Sequence, residues 1–155
     1  MENTHTIVNH QVAEITLSYK TKVKPSERSK ISSSRDAYEI LMQYWDKDTL
    51  ELQEQFKVLL VNRAHKVLGQ YELSTGGVSG TIADPKLIFV AALKSCASGI
   101  IVAHNHPSGN LNASQADIDL TRKLREAGKF LEIQLLDHLI ITTEKYMSFA
   151  DEGLL

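Results

Sequence analysis

The sequence has one cysteine, Cys96, and three prolines among its 155 residues. A single cysteine excludes an internal disulfide framework and any zinc site made of several cysteines, so a metal would have to be held by histidine and carboxylate side chains. The longest uninterrupted apolar run, residues 87–93, is far shorter than the roughly 20 residues that a transmembrane helix needs. The first 20 residues also lack the apolar core of a signal peptide. We therefore expect a soluble, cytoplasmic protein without a membrane partner.

Neither sign of charge dominates the chain. There are 17 Lys and Arg residues against 19 Asp and Glu residues, a formal net charge of −2, whereas domains that bind nucleic acid over their whole surface usually have a pI above about 9. Residues 20–35 are locally basic, but no aromatic side chain is interleaved between Lys22 and Lys30 to stack on bases. Alternating lysines also protect the edge of a sheet. DNA contact is therefore the weaker interpretation of this stretch.

The apolar patterns predict alternating helices and strands. A strand over residues 12–23 and a basic connector would form an N-terminal segment, residues 1–30, ahead of one domain over residues 31–155. Within that domain the patterns predict helices over residues 34–45, 84–97 and 114–127, the last ended by Gly128, with a helical turn over 48–54. They predict strands over residues 56–61, 66–73, 99–103, 131–136 and 138–142, a glycine-rich loop over residues 75–80, and a buried thiol at Cys96. The class is α/β or α+β, with one sheet covered on both sides.

The unusual chemistry lies between residues 104 and 117. His104 and His106, at i and i+2 on an extended segment, point to the same side directly after an apolar strand. A Pro-x-Gly turn follows, and the start of the next helix can bring Asp117 back to the same point. Two histidines and one carboxylate suit tetrahedral zinc with a fourth position open to water, whose pKa the metal would lower towards about 7.

Each of these residues also has a purely structural interpretation. Ser114 and Asp117 fit the Ser-x-x-Asp variant of a helix capping box, and the two histidines could be loop imidazoles bonded to backbone carbonyls. For Asp137 and His138 we favour a structural role. A chance arrangement would have to explain the histidine pair, the turn and the carboxylate together, so the metal interpretation is preferred.

The string His104-Asn-His106-Pro-Ser-Gly109, followed by Ser114-x-x-Asp117, resembles the His-x-His-x10-Asp motif of the JAMM (MPN+) metalloprotease family. The surrounding sequence is similar to the bacterial RadC-like branch of that family over about residues 32–155. The similarity includes residues 54–62, the glycine pair at 76–77, and residues 136–140 and 148–150. The resemblance implies a single JAB/MPN-type domain in which helices flank a mixed, curved sheet, a cytidine-deaminase-like architecture.

The resemblance also implies an activity and roles for residues. The zinc ligands would be His104, His106 and Asp117, Ser114 would help to hold the oxyanion, and Glu54 would be the general base. Glu51 and Glu72 are the alternatives for that base. The implied reaction is hydrolysis of an amide or isopeptide bond in a protein or peptide substrate by zinc-bound hydroxide. There are two alternatives: a RadC-like factor that binds or processes DNA during repair, and a scaffold with an inactive site. The sequence does not indicate an oligomeric state.

Overall fold

The computed structural model describes residues 11–77 and 83–155. Its elements, in chain order, are α1 (Ser34–Gln43), β1 (Gln55–Val61), β2 (Val67–Thr75), α2 (Pro85–Lys94), β3 (Gly99–Asn105), α3 (Gln115–Leu131), β4 (Gln134–Ile141) and β5 (Tyr146–Ser148). Short 3-10 turns occupy Pro25–Glu27 and Lys47–Thr49. The strands form one sheet in the order β2-β1-β3-β4-β5. These elements confirm the expected mixed α/β domain and agree with a JAB/MPN-type fold.

The direction of the strands explains where α3 lies. All neighbouring strands run antiparallel except β3 and β4, which are parallel. Parallel neighbours need a crossover connection, and α3 supplies it. The end of β3 and the first turn of α3 are therefore joined by a short loop, and this loop region contains the histidine and aspartate motif.

The central strands are buried on both faces, which is typical of a sheet covered by helices on its two sides. In β1 and β3 every residue is buried. Val58, Ile100 and Val102 face a core shared with α2 and α3. The alternate positions, such as Leu59 and Ile101, face a second core shared with α1. Because side chains alternate along a strand, His104 lies on the α3 side of the sheet.

The predicted strand over residues 12–23 does not form. Residues 11–22 have no regular secondary structure, and Val12, Ile15 and Leu17 are largely exposed. A strand needs a partner for its backbone groups, and this segment is not paired with the edge strand β2. The Tyr19 hydroxyl instead donates to the Leu68 carbonyl oxygen at 3.0 Å.

Gly128 does not end α3, which continues to Leu131 and closes at Glu132 in the left-handed conformation. The glycine is required by a close approach, because a Cβ at this position would lie 2.2 Å from the Ile133 carbonyl oxygen. The two strands predicted over residues 131–142 are one strand, β4, with a register shift opposite Ile100 and Ile101. Patterning alone did not separate a bulge from a break.

Three further differences concern the ends of elements and one side chain. The helix α2 begins after the Asp84 cap as predicted but ends at Lys94, so Cys96 follows the helix, in the left-handed region, and is exposed rather than buried. The predicted turn at 48–54 is a shorter 3-10 turn, and the predicted loop at 75–80 lies partly outside the described residues. No helix in the described ranges is long and apolar enough to span a membrane.

Candidate metal centre

Two elements bring the motif residues together. His104 is the sixth residue of β3, and His106 follows the strand by one residue. Asp117 is in the first turn of α3, whose cap is Ser114. The His106 backbone N–H donates to the Ile141 carbonyl oxygen at 2.9 Å, which holds this histidine beside the end of β4.

The three predicted ligands converge on one point. The Nε2 atoms of His104 and His106 are 3.0 Å apart. The distance from His104 Nε2 to Asp117 Oδ1 is 3.2 Å, and that from His106 Nε2 to Asp117 Oδ2 is 3.8 Å. Together they form a group of three side chains that could hold a metal ion. The His104 side chain is 1% exposed, whereas His106 and Asp117 are 17% and 15% exposed, so the point is reached from their side.

The hydrogen bonds behind the two imidazoles are made by their Nδ1 atoms, which leaves both Nε2 atoms at the convergence point. His106 Nδ1 lies 2.6 Å from the Asn110 carbonyl oxygen, which can only accept, so Nδ1 carries the proton. His104 Nδ1 lies 2.9 Å from His138 Nε2 and takes part in a hydrogen bond away from the point. With its proton at Nδ1, His106 directs the lone pair of Nε2 to the convergence point, close to the Asp117 carboxylate. A cation would be stabilised by such a set of ligand atoms.

The separations also fit the expected ion. Tetrahedral zinc with bonds of about 2.0–2.1 Å to nitrogen and oxygen places its ligand atoms roughly 3.3–3.4 Å apart. The observed 3.0 Å and 3.2 Å separations at His104 Nε2 are within a few tenths of an ångström of that value. Imidazole and carboxylate are both ligands that zinc accepts. The residues present therefore fit zinc.

Ser114 and Asp117 also form the capping box that the alternative interpretation predicted. The Ser114 hydroxyl and backbone N–H both donate to Asp117 Oδ2 at 2.7 Å, and the Asp117 N–H donates to Ser114 Oγ at 3.2 Å. The two interpretations are compatible because they use different carboxylate oxygens: Oδ2 caps the helix and Oδ1 is nearest His104. The cap thereby orients the carboxylate towards the histidines.

The electrostatics keep Asp117 ionised. Partial burial raises the pKa of its carboxyl group, but the interaction with His104 and the two hydrogen bonds from Ser114 together outweigh burial and hold that pKa far below its usual range. The carboxylate is therefore available as an anionic ligand at neutral pH. At the convergence point its negative charge faces the two imidazole Nε2 atoms.

His138 belongs to this site, although a structural role was favoured from the sequence. It is fully buried, its Nε2 contacts His104 Nδ1, and its Nδ1 lies 2.6 Å from the Thr121 hydroxyl. Burial holds the pKa of His138 well below its ordinary value, so this imidazole is neutral. The sequence signal that could have pointed to this role was a histidine at the start of the strand predicted over residues 138–142.

Glu54 lies where β1 begins. Phe56 pairs with His104, so Glu54, two residues earlier, lies at the same end of the sheet as His106. Its backbone is held by hydrogen bonds with Gly76 and Gly77. Of the alternatives, Glu72 is bonded to Lys57 at 2.6 Å, an interaction that lowers the pKa of Glu72. Glu51 is exposed in the turn before β1.

Asn105, between the two histidines, was not singled out from the sequence. Its side chain is completely buried. The Oδ1 atom accepts from the Gln55 N–H at 2.8 Å, and Nδ2 donates to the carbonyl oxygens of Leu50 and Gln53 at 2.8 Å and 3.0 Å. Three bonds thus tie the segment around Glu54 to the strand that carries the histidines.

Comparison with known proteins agrees with this geometry. A family model described as RadC-like JAB domain matches residues 31–154. A UPF0758 protein of Flavobacterium johnsoniae is 48% identical over 126 residues, which cover 81% of this chain and 53% of the relative. A UPF0758 protein of Porphyromonas gingivalis is 46% identical over 129 residues, covering 83% and 56%, and one of Methanosarcina mazei is 36% identical over 142 residues, covering 92% and 60%.

The chain spans little more than half the length of these curated relatives. The family match covers both metal-site histidines, the aspartate and the segment that contains Glu54. Residues 11–24, where the predicted strand is absent, precede the matched region. The chain therefore belongs to the family of RadC-like JAB domain proteins.

Proposed function

We propose that this protein is a zinc-dependent hydrolase of amide or isopeptide bonds that acts on a protein or peptide substrate in the cytoplasm. The observation that supports the proposal is the convergence of two imidazole Nε2 atoms, 3.0 Å apart, and the Asp117 carboxylate, whose oxygens lie 3.2 Å and 3.8 Å from them, on a partly accessible point. Three protein ligands with an open position are typical of catalytic rather than structural zinc.

In this proposal His104, His106 and Asp117 hold the metal. Zinc, when bound, would polarise a carbonyl oxygen and lower the pKa of water, which is the chemistry that amide hydrolysis requires. The buried side of His104 excludes solvent behind the site. The exposed sides of His106 and Asp117 leave room for a substrate carbonyl group to approach.

Glu54 is proposed as the residue that moves the proton. It would accept a proton from the attacking water and deliver it to the departing amine nitrogen, because an amine leaves readily only when protonated. Its support is positional: it lies beside the first residue of β1, and Asn105 ties that segment to β3. Glu72 is the weaker alternative because its carboxylate is paired with Lys57.

Ser114 is proposed to donate a hydrogen bond to the developing oxyanion. Its hydroxyl group donates to Asp117 Oδ2 in the structure, so it would have to turn towards the substrate. Asp117 Oδ2 would then keep the bond from the Ser114 backbone N–H. One of the two bonds that orient the carboxylate therefore remains after the rotation.

The test is a cleavage assay without an assumed substrate. The zinc-loaded protein is incubated in 18O-labelled water with a complex peptide mixture that includes peptides branched through lysine ε-amides, and new carboxyl termini carrying 18O are detected by mass spectrometry. Glu54→Gln is the matched control because it keeps the shape and removes the base. We expect labelled termini with the wild type and at least about 100-fold fewer with the variant.

DNA binding and processing are the competing outcome. We expect only weak, salt-sensitive binding to duplex DNA, because the net charge is −2 and basic residues cluster only in residues 20–35. A complex that survives about 200 mM salt, or metal-dependent DNA cleavage, together with the absence of labelled peptide termini, would replace the peptidase proposal.

A further inference from the structure

We propose that His138 and Thr121 are positioning residues that fix the proton of His104 on Nδ1 and so present the Nε2 lone pair to the metal. This inference rests on the proposed metal site and deepens it. It assigns a purpose to the two buried polar side chains on the α3 side of the sheet that the proposed reaction does not otherwise use.

The direction of the hydrogen bonds follows from the end of the chain of contacts. The Asp117 carbonyl oxygen can only accept, so the Thr121 hydroxyl group, 2.7 Å away, donates its one proton there. Thr121 Oγ1 must then accept from His138 Nδ1 at 2.6 Å. A neutral His138 with its proton on Nδ1 has a lone pair on Nε2. That lone pair accepts from His104 Nδ1 at 2.9 Å.

Burial disfavours the competing arrangement, a charged His138 that donates from both ring nitrogens. His138 is 0% exposed, and its ring stacks on Phe149 at a centroid distance of 4.6 Å and an angle of 13°. The ring centroid of Phe56 lies 5.9 Å from the ring centroid of His138. A charged imidazolium in such an apolar slot is strongly disfavoured. A neutral His138 has one N–H proton, which Thr121 accepts at Nδ1, so its Nε2 can only accept from His104.

The contacts close a circuit that includes two proposed ligands. Thr121 is one helical turn after Asp117, whose carbonyl group it contacts, while the Asp117 carboxylate faces His104 Nε2 at 3.2 Å. His104 on β3, His138 on β4 and Thr121 on α3 therefore connect the three elements of the crossover. An interaction behind a metal-bound histidine usually ends in a carboxylate, carbonyl or water. Here a second imidazole and a hydroxyl group take that position.

A purely structural role for His138 predicts something different. A His138 side chain that only packs between its neighbours would stabilise the fold. That stabilisation would not depend on which nitrogen of His138 carries the proton. Thr121→Val distinguishes the two because valine has nearly the shape of threonine and lacks the hydroxyl group. Without that acceptor, His138 can place its proton on Nε2, and His104 must then accept at Nδ1 and lose its Nε2 lone pair. Thr121→Ser is the matched control, since it keeps the hydroxyl group.

The first measurement needs no variant. Long-range 1H–15N correlation spectra of the histidine rings report which nitrogen is protonated. We expect the Nδ1–H form of His104 in the wild type, both with zinc and without metal at about pH 8.5, roughly two units above the ordinary imidazole pKa. A wild-type His104 ring protonated at Nε2 alone in the metal-free protein would overturn the proposal.

The second measurement is zinc affinity by competition with a chromophoric chelator. We expect Thr121→Val to bind zinc about 10–100-fold more weakly than the wild type, the usual loss for such an outer partner, and Thr121→Ser to bind within a few-fold of it. Equal affinities for the two variants would refute the positioning role. If the wild type itself binds no zinc, the proposed function fails instead, so the two failures are distinguishable.

Discussion

The side chain of Asn105 links the stability of the domain to the placement of the proposed base. It makes three buried hydrogen bonds to the backbone of residues 50–55. Asn105→Leu keeps the number and branching of the side-chain heavy atoms, but the Gln55 N–H and the Leu50 and Gln53 carbonyl groups lose their partner. Each buried group left unsatisfied costs about 1–3 kcal/mol. The Gln53 bond is only partly buried, so we expect a total loss near 3–5 kcal/mol.

This loss leaves the domain folded if it has an ordinary stability of about 5–15 kcal/mol. The assay is urea denaturation of the metal-free wild type and Asn105→Leu, with Asn112→Leu as a control at an exposed loop position. The control should change stability by no more than about 0.5 kcal/mol. A loss below about 1 kcal/mol for Asn105→Leu would refute the view that these bonds hold the segment.

The same variant separates metal binding from hydrolysis. Side chains alternate along β3, so Asn105 points away from the face of His104. We expect the zinc affinity to change by less than about 10-fold, the smallest loss that is usual when a residue bonded to a metal ligand is removed. Hydrolysis should fall strongly, because the segment that carries Glu54, the proposed base, is no longer tied to β3. A parallel loss of both properties would mean that Asn105 supports the whole site and not specifically the Glu54 segment.

Three other changes are expected to give clear results. Alanine in place of His104, His106 or Asp117 should abolish binding of about one zinc per chain in metal analysis, because three protein ligands are needed; full retention without Asp117 would reduce it to a helix cap. Glu54→Gln should leave zinc content and melting temperature unchanged while turnover falls at least about 100-fold; an active variant would move the base elsewhere. Gly128→Ala should lower the melting temperature in calorimetry, because the 2.2 Å approach to a carbonyl oxygen outweighs the about 1 kcal/mol gained in helix propensity; a higher melting temperature would contradict this.

Much of the fold was predictable because its signals are local. The Asp84-Pro85 start of α2 and the apolar strands β1 and β3 were placed within one or two residues. The N-terminal strand was wrong because alternation shows that a segment suits a sheet edge and does not show that an edge is available. The prediction that Gly128 ends α3 was wrong because the glycine is required by the close approach of the Ile133 carbonyl oxygen. That contact depends on how α3 packs against β4.

The candidate site divides in the same way. The ligand group was predictable because His104, His106 and Asp117 lie close in sequence and their spacing fits one strand, one turn and one helix start. The residues behind it were not, since His138 is 34 positions from His104 and Asn105 reaches residues about 50 positions away. Such contacts depend on the order of strands in the sheet, which patterning along the chain does not give.

The short loop between β3 and α3 has a consequence for how the protein folds. All three proposed ligands lie within fourteen consecutive residues, 104–117, and closing so short a loop costs little conformational entropy. An ion can therefore gather them in the unfolded chain, where the Asp117 end would already mark the start of α3. Binding to the unfolded state reduces the stabilisation that a metal confers on the native state. Zinc would then accelerate refolding, since the metal would act as a nucleus for the crossover. It would raise the melting temperature by less than a metal that binds the native state alone.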